Sequence, residues 1–239
     1  MKKLISFSRH VDRVWLEFTL SSVAHGASKT ILNQKLEHLL ESFIATVENR
    51  RKARNLLVSI WAIRENTKYQ KFDCDALDLY LRDEQSTMSL QWGMLVARKP
   101  FFAAVARYIG RYSKLNDCFK YAQVNKRMCE LFGETESTSR ATRAVLKTMQ
   151  ELGALVKNDD GSMSIAAKVS EQDKWRVNWM LKALLLSDNQ ESREFHEVQQ
   201  DPVWFPFQLS INESEIDTHL FEVHQQGNSL YLFLKQDVE

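Results

Sequence analysis

The sequence predicts a mainly α protein with a small β component, and three observations carry that expectation. Only 7 Gly and 3 Pro occur among 239 residues, which disfavours long irregular linkers and favours helices. Apolar residues recur at helical spacing through most of the chain. Two-residue alternation is confined to a short stretch after Gly153 and to the tail around Gly227 and Asn228. The expected organisation is a helical scaffold over 1–99, a two-helix motif with a hairpin and flanking helices over 100–187, and an acidic α+β region with a β-hairpin over 188–239.

Residues 11–24 form the first candidate helix, with Val14, Leu16, Phe18, Leu20 and Val23 in mixed period. Ser28 is placed to cap a long helix through Ile31, Leu36, Leu39, Leu40, Phe43, Ile44 and Val47. Asn49, Arg50, Arg51 and Lys52 end or bend that helix, and residues 53–64 resume it. A polar interval over 65–75 leads to a short helix around Leu77–Leu81, and Asp73, Asp75 and Asp78 beside Cys74 read as a solvated helix cap. Residues 86–98 form another helix, which Pro100 stops or from which it starts the next. Phe102, Val105, Ala106 and Ile109 then repeat at helical spacing. Later, residues 170–187 read as a helix, DPVWFPFQLSI as extended chain, and FEVHQQGNSLYLFLK as a hairpin around Gly227-Asn228.

The stretch over 121–167 is the most informative. Residues 122–132 read as a helix with Val124, Met128 and Leu131 on one face and Lys126 and Arg127 elsewhere. Gly133 ends it, 134–137 turn, and Thr138 or Ser139 caps a second helix. On that helix Ala141, Val145, Met149 and Leu152 form the buried stripe, while Arg140, Arg143 and Lys147 share a different face. Ala154, Leu155 and Val156 and then Met163, Ser164 and Ile165 form short strands around Asn158, Asp159, Asp160 and Gly161.

The order helix, turn, helix, hairpin resembles the winged helix-turn-helix superfamily over about a fifth of the chain. That resemblance implies contact with double-stranded DNA through Ser139, Arg140, Thr142, Arg143 and Lys147 of the second helix. Arginine can bond guanine edges or phosphates, and hydroxyls suit either. Lys126 and Arg127, with the basic run Arg50, Arg51, Lys52 and Arg54, are candidates for supplementary phosphate contact. The alternatives are a protein-binding module, a solvated helix face, and, for the basic run, a helix end whose cations complement the dipole. Asp159 and Asp160 at the hairpin tip would repel phosphate.

Charge is unevenly distributed. Residues 1–97 carry 14 Lys and Arg against 11 Asp and Glu, 98–185 carry 16 against 9, and 186–239 carry 2 against 11. The net +1 therefore cancels a basic middle against an acidic tail. Such asymmetry suits nucleic-acid contact, and equally suits an acidic region that packs on a basic one.

No catalytic motif is present: GxxxxGK, GxGxxG, GxSxG and HExxH are all missing from the sequence. The expectation is a protein without enzymatic activity, cofactor or metal. Trp175, Trp179, Trp204, Phe205 and Phe207 read as core rather than as base-stacking platforms. Three unpaired cysteines suit a reducing cytoplasm. The apolar runs over 56–63 and 179–186 are too short to span a bilayer, and the opening MKK with its interrupted apolar run makes a poor signal peptide.

NRRKARNLL and TSRATRAVLKTMQELGALV, set in a helical region followed by the two-helix motif, resemble the small accessory A proteins of bacterial BREX phage-exclusion systems. The resemblance implies a cytoplasmic, antiviral, DNA-binding component of a multi-protein complex. A transcriptional regulator is the related expectation. A scaffold whose winged helix and acidic tail bind protein partners, or which self-associates, is the expectation of another class.

Overall fold

Asp12 opens the first helix, its carboxylate accepting the Val14 N–H at 2.9 Å, so α1 runs Arg13–Ala24. Ser28 caps α2 (Lys29–Glu41) through the Ile31 N–H, as expected. The computed structural model describes residue 5, residues 7–188, residue 190 and residues 192–235; the basic opening MKK lies outside these.

The second helix is shorter than its stripe suggests. It ends at Glu41, residues 42–46 cross over, and α3 spans Val47–Trp61. Arg50, Arg51 and Lys52 consequently lie within the first half of α3 instead of at a helix end, where the dipole disfavours cations. Local carboxylates offset that placement. Glu37 of α2 takes Arg50 Nε at 2.6 Å and Arg54 Nη1 at 2.9 Å, and Glu48 pairs with Arg51 and Lys52.

The polar interval is also more ordered than expected, because α4 begins at Gln70 and continues to Arg82. Phe72, Ala76, Leu77, Leu79 and Tyr80 are its buried stripe, with Lys71 and Asp78 outward. Asp73 is no solvated cap. It is 2 % exposed, accepts the Arg64 backbone N–H at 3.0 Å and its guanidinium at 2.7 and 3.0 Å, and faces Arg98 Nη2 at 2.6 Å.

Helix α5 (Met88–Arg98) is buried almost all round, and Pro100 starts α6 (Pro100–Tyr112) at its first position. Between them the Lys99 ammonium is buried and donates to Ser59 Oγ at 2.6 Å. Burial, followed by the neighbouring Arg98 charge, lowers its pKa from the ordinary 10.5 to about 8. The folded chain therefore releases this proton before the unfolded chain does, and stability rises with pH between about 8 and 10.5. Between pH 7 and 9.5 the gain is about 2 kcal/mol. Urea unfolding at both pH values should show Lys99→Met lacking that increment relative to the parent chain.

After α6 come β1 (Cys118–Phe119), α7 (Tyr121–Phe132), α8 (Glu136–Glu151), β2 (Leu155–Lys157) and β3 (Met163–Ile165). The hairpin strands pair antiparallel with Val156 opposite Ser164, and β1 joins the far edge of β3 to give the order β1-β3-β2. The expected helix over 170–187 starts later. Residues Val169–Glu171 instead form β4, parallel to β6 (Phe207–Leu209), and α9 runs Lys174–Asp188.

Helix α9 packs along α5, and the Trp179 ring lies against Gly93, where an added Cβ would come within 2.3 Å of it. Trp179 stacks on Phe72 at 4.8 Å and donates its indole N–H to the Phe72 carbonyl. The segment expected to be extended opens with a single 3₁₀ turn, Pro202–Trp204, which Asp201 caps through the Val203 N–H. Trp92 is the meeting point: edge-on to Phe102, Phe205 and Phe207, it donates to the Val203 carbonyl at 3.0 Å. Buried side chains from 1–99, 100–187 and 188–239 thus belong to one hydrophobic core.

Close backbone approach is required where the 3₁₀ turn crosses α6. A Cβ on Gly110 would lie 2.0 Å from the Pro202 carbonyl oxygen. Neither backbone is free to yield, so Gly110→Ala should cost about 3 kcal/mol in a denaturant titration, at the upper end of ordinary overpacking.

The acidic tail meets the basic middle in the same place. Arg107 bonds Asp188 at 2.9 Å and Asp201 at 3.1 Å, and Arg193 bonds both carboxylates as well. The tail hairpin forms as expected, β7 (Phe221–Gln226) and β8 (Ser229–Leu234) turning at Gly227 with φ +60. Strand β5 (Ser192–Glu194) adds to the other edge of β8, and the short α10 (Phe195–Gln199) follows β5. Among the described residues no helix is long and apolar enough to cross a membrane.

Candidate functional site

Helix α8 owes its placement to the turn before it. Gly133 takes φ +96 and returns its N–H to the Cys129 carbonyl at 2.8 Å, closing α7. The cap of α8 is Thr135, earlier than the expected Thr138 or Ser139. Its hydroxyl accepts the Thr138 N–H at 3.1 Å, while the buried Thr138 hydroxyl donates to the Gly133 carbonyl at 2.6 Å. Two hydroxyls therefore fix the angle between the helices. The Tyr121 hydroxyl adds a third tie by donating to the Ser139 carbonyl at 3.2 Å.

Burial then sorts the residues of α8. Ala141, Ala144, Val145, Leu146, Thr148 and Met149 face the interior, and the Thr148 hydroxyl accepts the Val11 N–H at 3.0 Å. From Thr138 to Glu151 the exposed residues are Arg140, Arg143 and Lys147, at i, i+3 and i+7. The three cations expected to share a face are thus the whole exposed strip of the helix beyond its first turn.

Their local electrostatics differ. Arg140 pairs with Glu136 one turn earlier, and both side chains are exposed. Arg143 lies over the Tyr121 ring, 5.1 Å from its centroid, a cation–π contact that leaves its charge unneutralised. Neither Arg143 nor Lys147 forms an ion pair with a carboxylate among the described residues. Lys147 lies near His10, which is held below its ordinary pKa by burial and then by the Lys147 and Arg9 charges.

The other expected contact residues divide. Thr142 does not belong to the surface: it is fully buried and its hydroxyl donates to the Thr138 carbonyl at 2.9 Å. Helical position explains the error, since residue 142 falls beside the buried 141 and 145. Ser139 is half-buried. On α7, Lys126 and Arg127 are exposed, with Arg127 paired to Glu130.

In the basic run, Arg50 is withdrawn from solvent, donating to Glu37 and to the Ile44 and Ala45 carbonyls. Arg54 shares Glu37, so these two guanidinium groups tie α3 to α2 and are not free phosphate contacts. Arg51 and Lys52 remain exposed with Glu48 between them. Of the aromatics, Trp179, Trp204, Phe205 and Phe207 are core. Trp175 is exposed, with Arg82 and Lys174 near its ring.

The hairpin tip keeps its negative charge. Asp160 accepts the Ser162 hydroxyl at 2.6 Å and its N–H at 2.9 Å, and these bonds hold its carboxyl below the usual range. Sequence reasoning missed Arg9 and His10, which the structure brings beside Lys147. Nothing in local spacing marks them, because their placement depends on residue 11 docking on the far end of α8.

No protein-family model, curated protein or solved structure matches this chain. Among the described residues there is no grouping of three or more His, Cys, Asp or Glu able to hold a metal ion.

Proposed function

We propose that the chain binds double-stranded DNA through α8, in the manner of a winged helix-turn-helix. The element order supports this reading: α6, β1, α7, α8, β2 and β3 follow the helix and strand sequence of that fold, with the hairpin as the wing. The observation that carries it is the exposed strip Arg140, Arg143 and Lys147, a cationic line along a helix that beyond its first turn is otherwise buried or half-buried. Such a helix can enter a major groove without exposing core. Its cations supply the phosphate attraction and at least one bidentate donor for a guanine edge.

The acidic tip makes this an interface of the helix and not of the whole motif. Asp159 and Asp160 would stand next to phosphate if the wing followed the backbone, so the helix engages and the tip points away. The basic run contributes through Arg51 and Lys52 at most, and on α7 Lys126 and Arg127 are exposed, the latter paired with Glu130. The resemblance to phage-exclusion accessory proteins makes a non-enzymatic role within a multi-protein bacterial assembly the proposed setting.

Titration of a labelled duplex over a range of salt concentration tests the reading. Three cations releasing counterions give a slope of log K against log salt near about −2.7. Binding that is undetectable at low salt overturns the proposal and favours a surface for protein partners.

A further inference from the structure

Beside the far end of α8 lies a cleft of about 490 Å³, walled by the segment before α1, the crossover between α2 and α3, and Lys147. We propose that this cleft is a binding site for a small ligand joining a planar ring to a phosphate, of the nucleoside monophosphate class.

Charge selects an anion. Arg9 and Lys147 both line the cleft, and the one carboxylate there among the described residues, Asp12, already accepts the Val14 N–H as the cap of α1. The N-terminus of α3 opens on the same space, and Thr46 makes no side-chain cap bond to it. Unsatisfied N–H groups and the helix dipole favour a phosphate at that point.

Two further donors wait without partners. The indole N–H of Trp15 and the Nε of Arg9 are both buried and make no hydrogen bond. Trp15 is 4 % exposed, so its nitrogen is closed off from bulk water, and an unpaired buried donor is costly. With the Trp15 ring turned toward the cleft that it lines, a ligand oxygen would satisfy this donor.

The ring selectivity comes from Phe43. It is 55 % exposed on the crossover, lies 5.7 Å from Trp15 with the two rings steeply inclined, and lines the cleft. Most of the chain's other phenylalanine and tryptophan rings are buried, so an outward ring beside two cations offers a stacking surface for a base. The volume matches small-molecule sites rather than a groove for a peptide.

Isothermal titration of the full chain with adenosine monophosphate, inorganic phosphate and adenosine tests the assignment. The monophosphate should bind at one site, at least about tenfold more tightly than either fragment. Phe43→Ser and Lys147→Gln, both at exposed positions, should each weaken it by about tenfold while circular dichroism stays unchanged. Absence of binding at millimolar monophosphate overturns the proposal, as does phosphate binding equally well or indifference to both variants. Duplex binding that falls with Phe43→Ser while the monophosphate fails to bind also overturns it, since the ring then serves the nucleic acid. Monophosphate binding without duplex binding leaves this site standing and removes only the DNA reading.

Discussion

Asp73→Ala is expected to destabilise the protein by about 3–5 kcal/mol, the cost of breaking a buried ion pair from one side. The substitution removes the acceptor for three N–H groups of Arg64 and strips the counter-charge from Arg98, whose side chain is only 4 % exposed. One bond from Arg98 to the Ala62 carbonyl remains, and it cannot balance a desolvated guanidinium. Burial already holds that guanidinium below its ordinary pKa even with Asp73 in place. Against a typical total stability of roughly 5–15 kcal/mol, such a loss consumes a large share of what keeps the chain folded. Urea unfolding measures it directly. The double variant Asp73→Ala, Arg98→Met should recover part of the loss, because the uncompensated charge goes with the arginine. If the single variant costs less than about 1 kcal/mol, the cluster is not the buried lock between α3, α4 and α5 that the geometry describes.

Asp73 also shows where reading residues in order stops being informative. Beside Cys74, Asp75 and Asp78 it resembles a surface cap, and nothing local distinguishes it from them. Its burial depends on Arg64 nine residues earlier and Arg98 twenty-five residues later. The break between α2 and α3 is hidden for a related reason. Apolar residues stay in helical phase on both sides of 42–46, so periodicity cannot register the crossover, while Glu37 reaching Arg50 and Arg54 can. Pro202 bars an α-helix, as its ring requires, but only the packing on α6 reveals that it opens a 3₁₀ turn.

The cationic strip of α8 is legible because a helix repeats. Once Ala141, Val145 and Met149 are assigned inward, 140, 143 and 147 can only face out, and they do. Thr142 fails the same test: its hydroxyl suits DNA chemistry, but its position on the helix turns it inward. Arg9 and His10 are not legible at all, since the docking of Val11 on Thr148 joins positions 137 residues apart.

Reversing Arg140 and Arg143 together to glutamate should weaken duplex binding by at least about 100-fold, if α8 is the interface. Each good base contact contributes about 1–3 kcal/mol, and reversal replaces that attraction with repulsion of the phosphates. Both side chains are exposed and neither supports the core, so helical circular dichroism and the unfolding midpoint should stay near those of the parent. Lys29→Glu, an exposed reversal on α2, matches the change in net charge of either single arginine reversal. The two arginines make separable contributions. Arg143 has no carboxylate partner among the described residues, whereas Arg140 is paired with Glu136. Arg143→Glu alone should therefore weaken binding more than Arg140→Glu, and Glu136→Gln should strengthen it severalfold by releasing Arg140 and removing a charge that repels phosphate. That ordering separates a specific helix face from general cationic attraction. Under the latter, Lys29→Glu and Arg143→Glu would weaken binding equally, and such equality would overturn the assignment of α8.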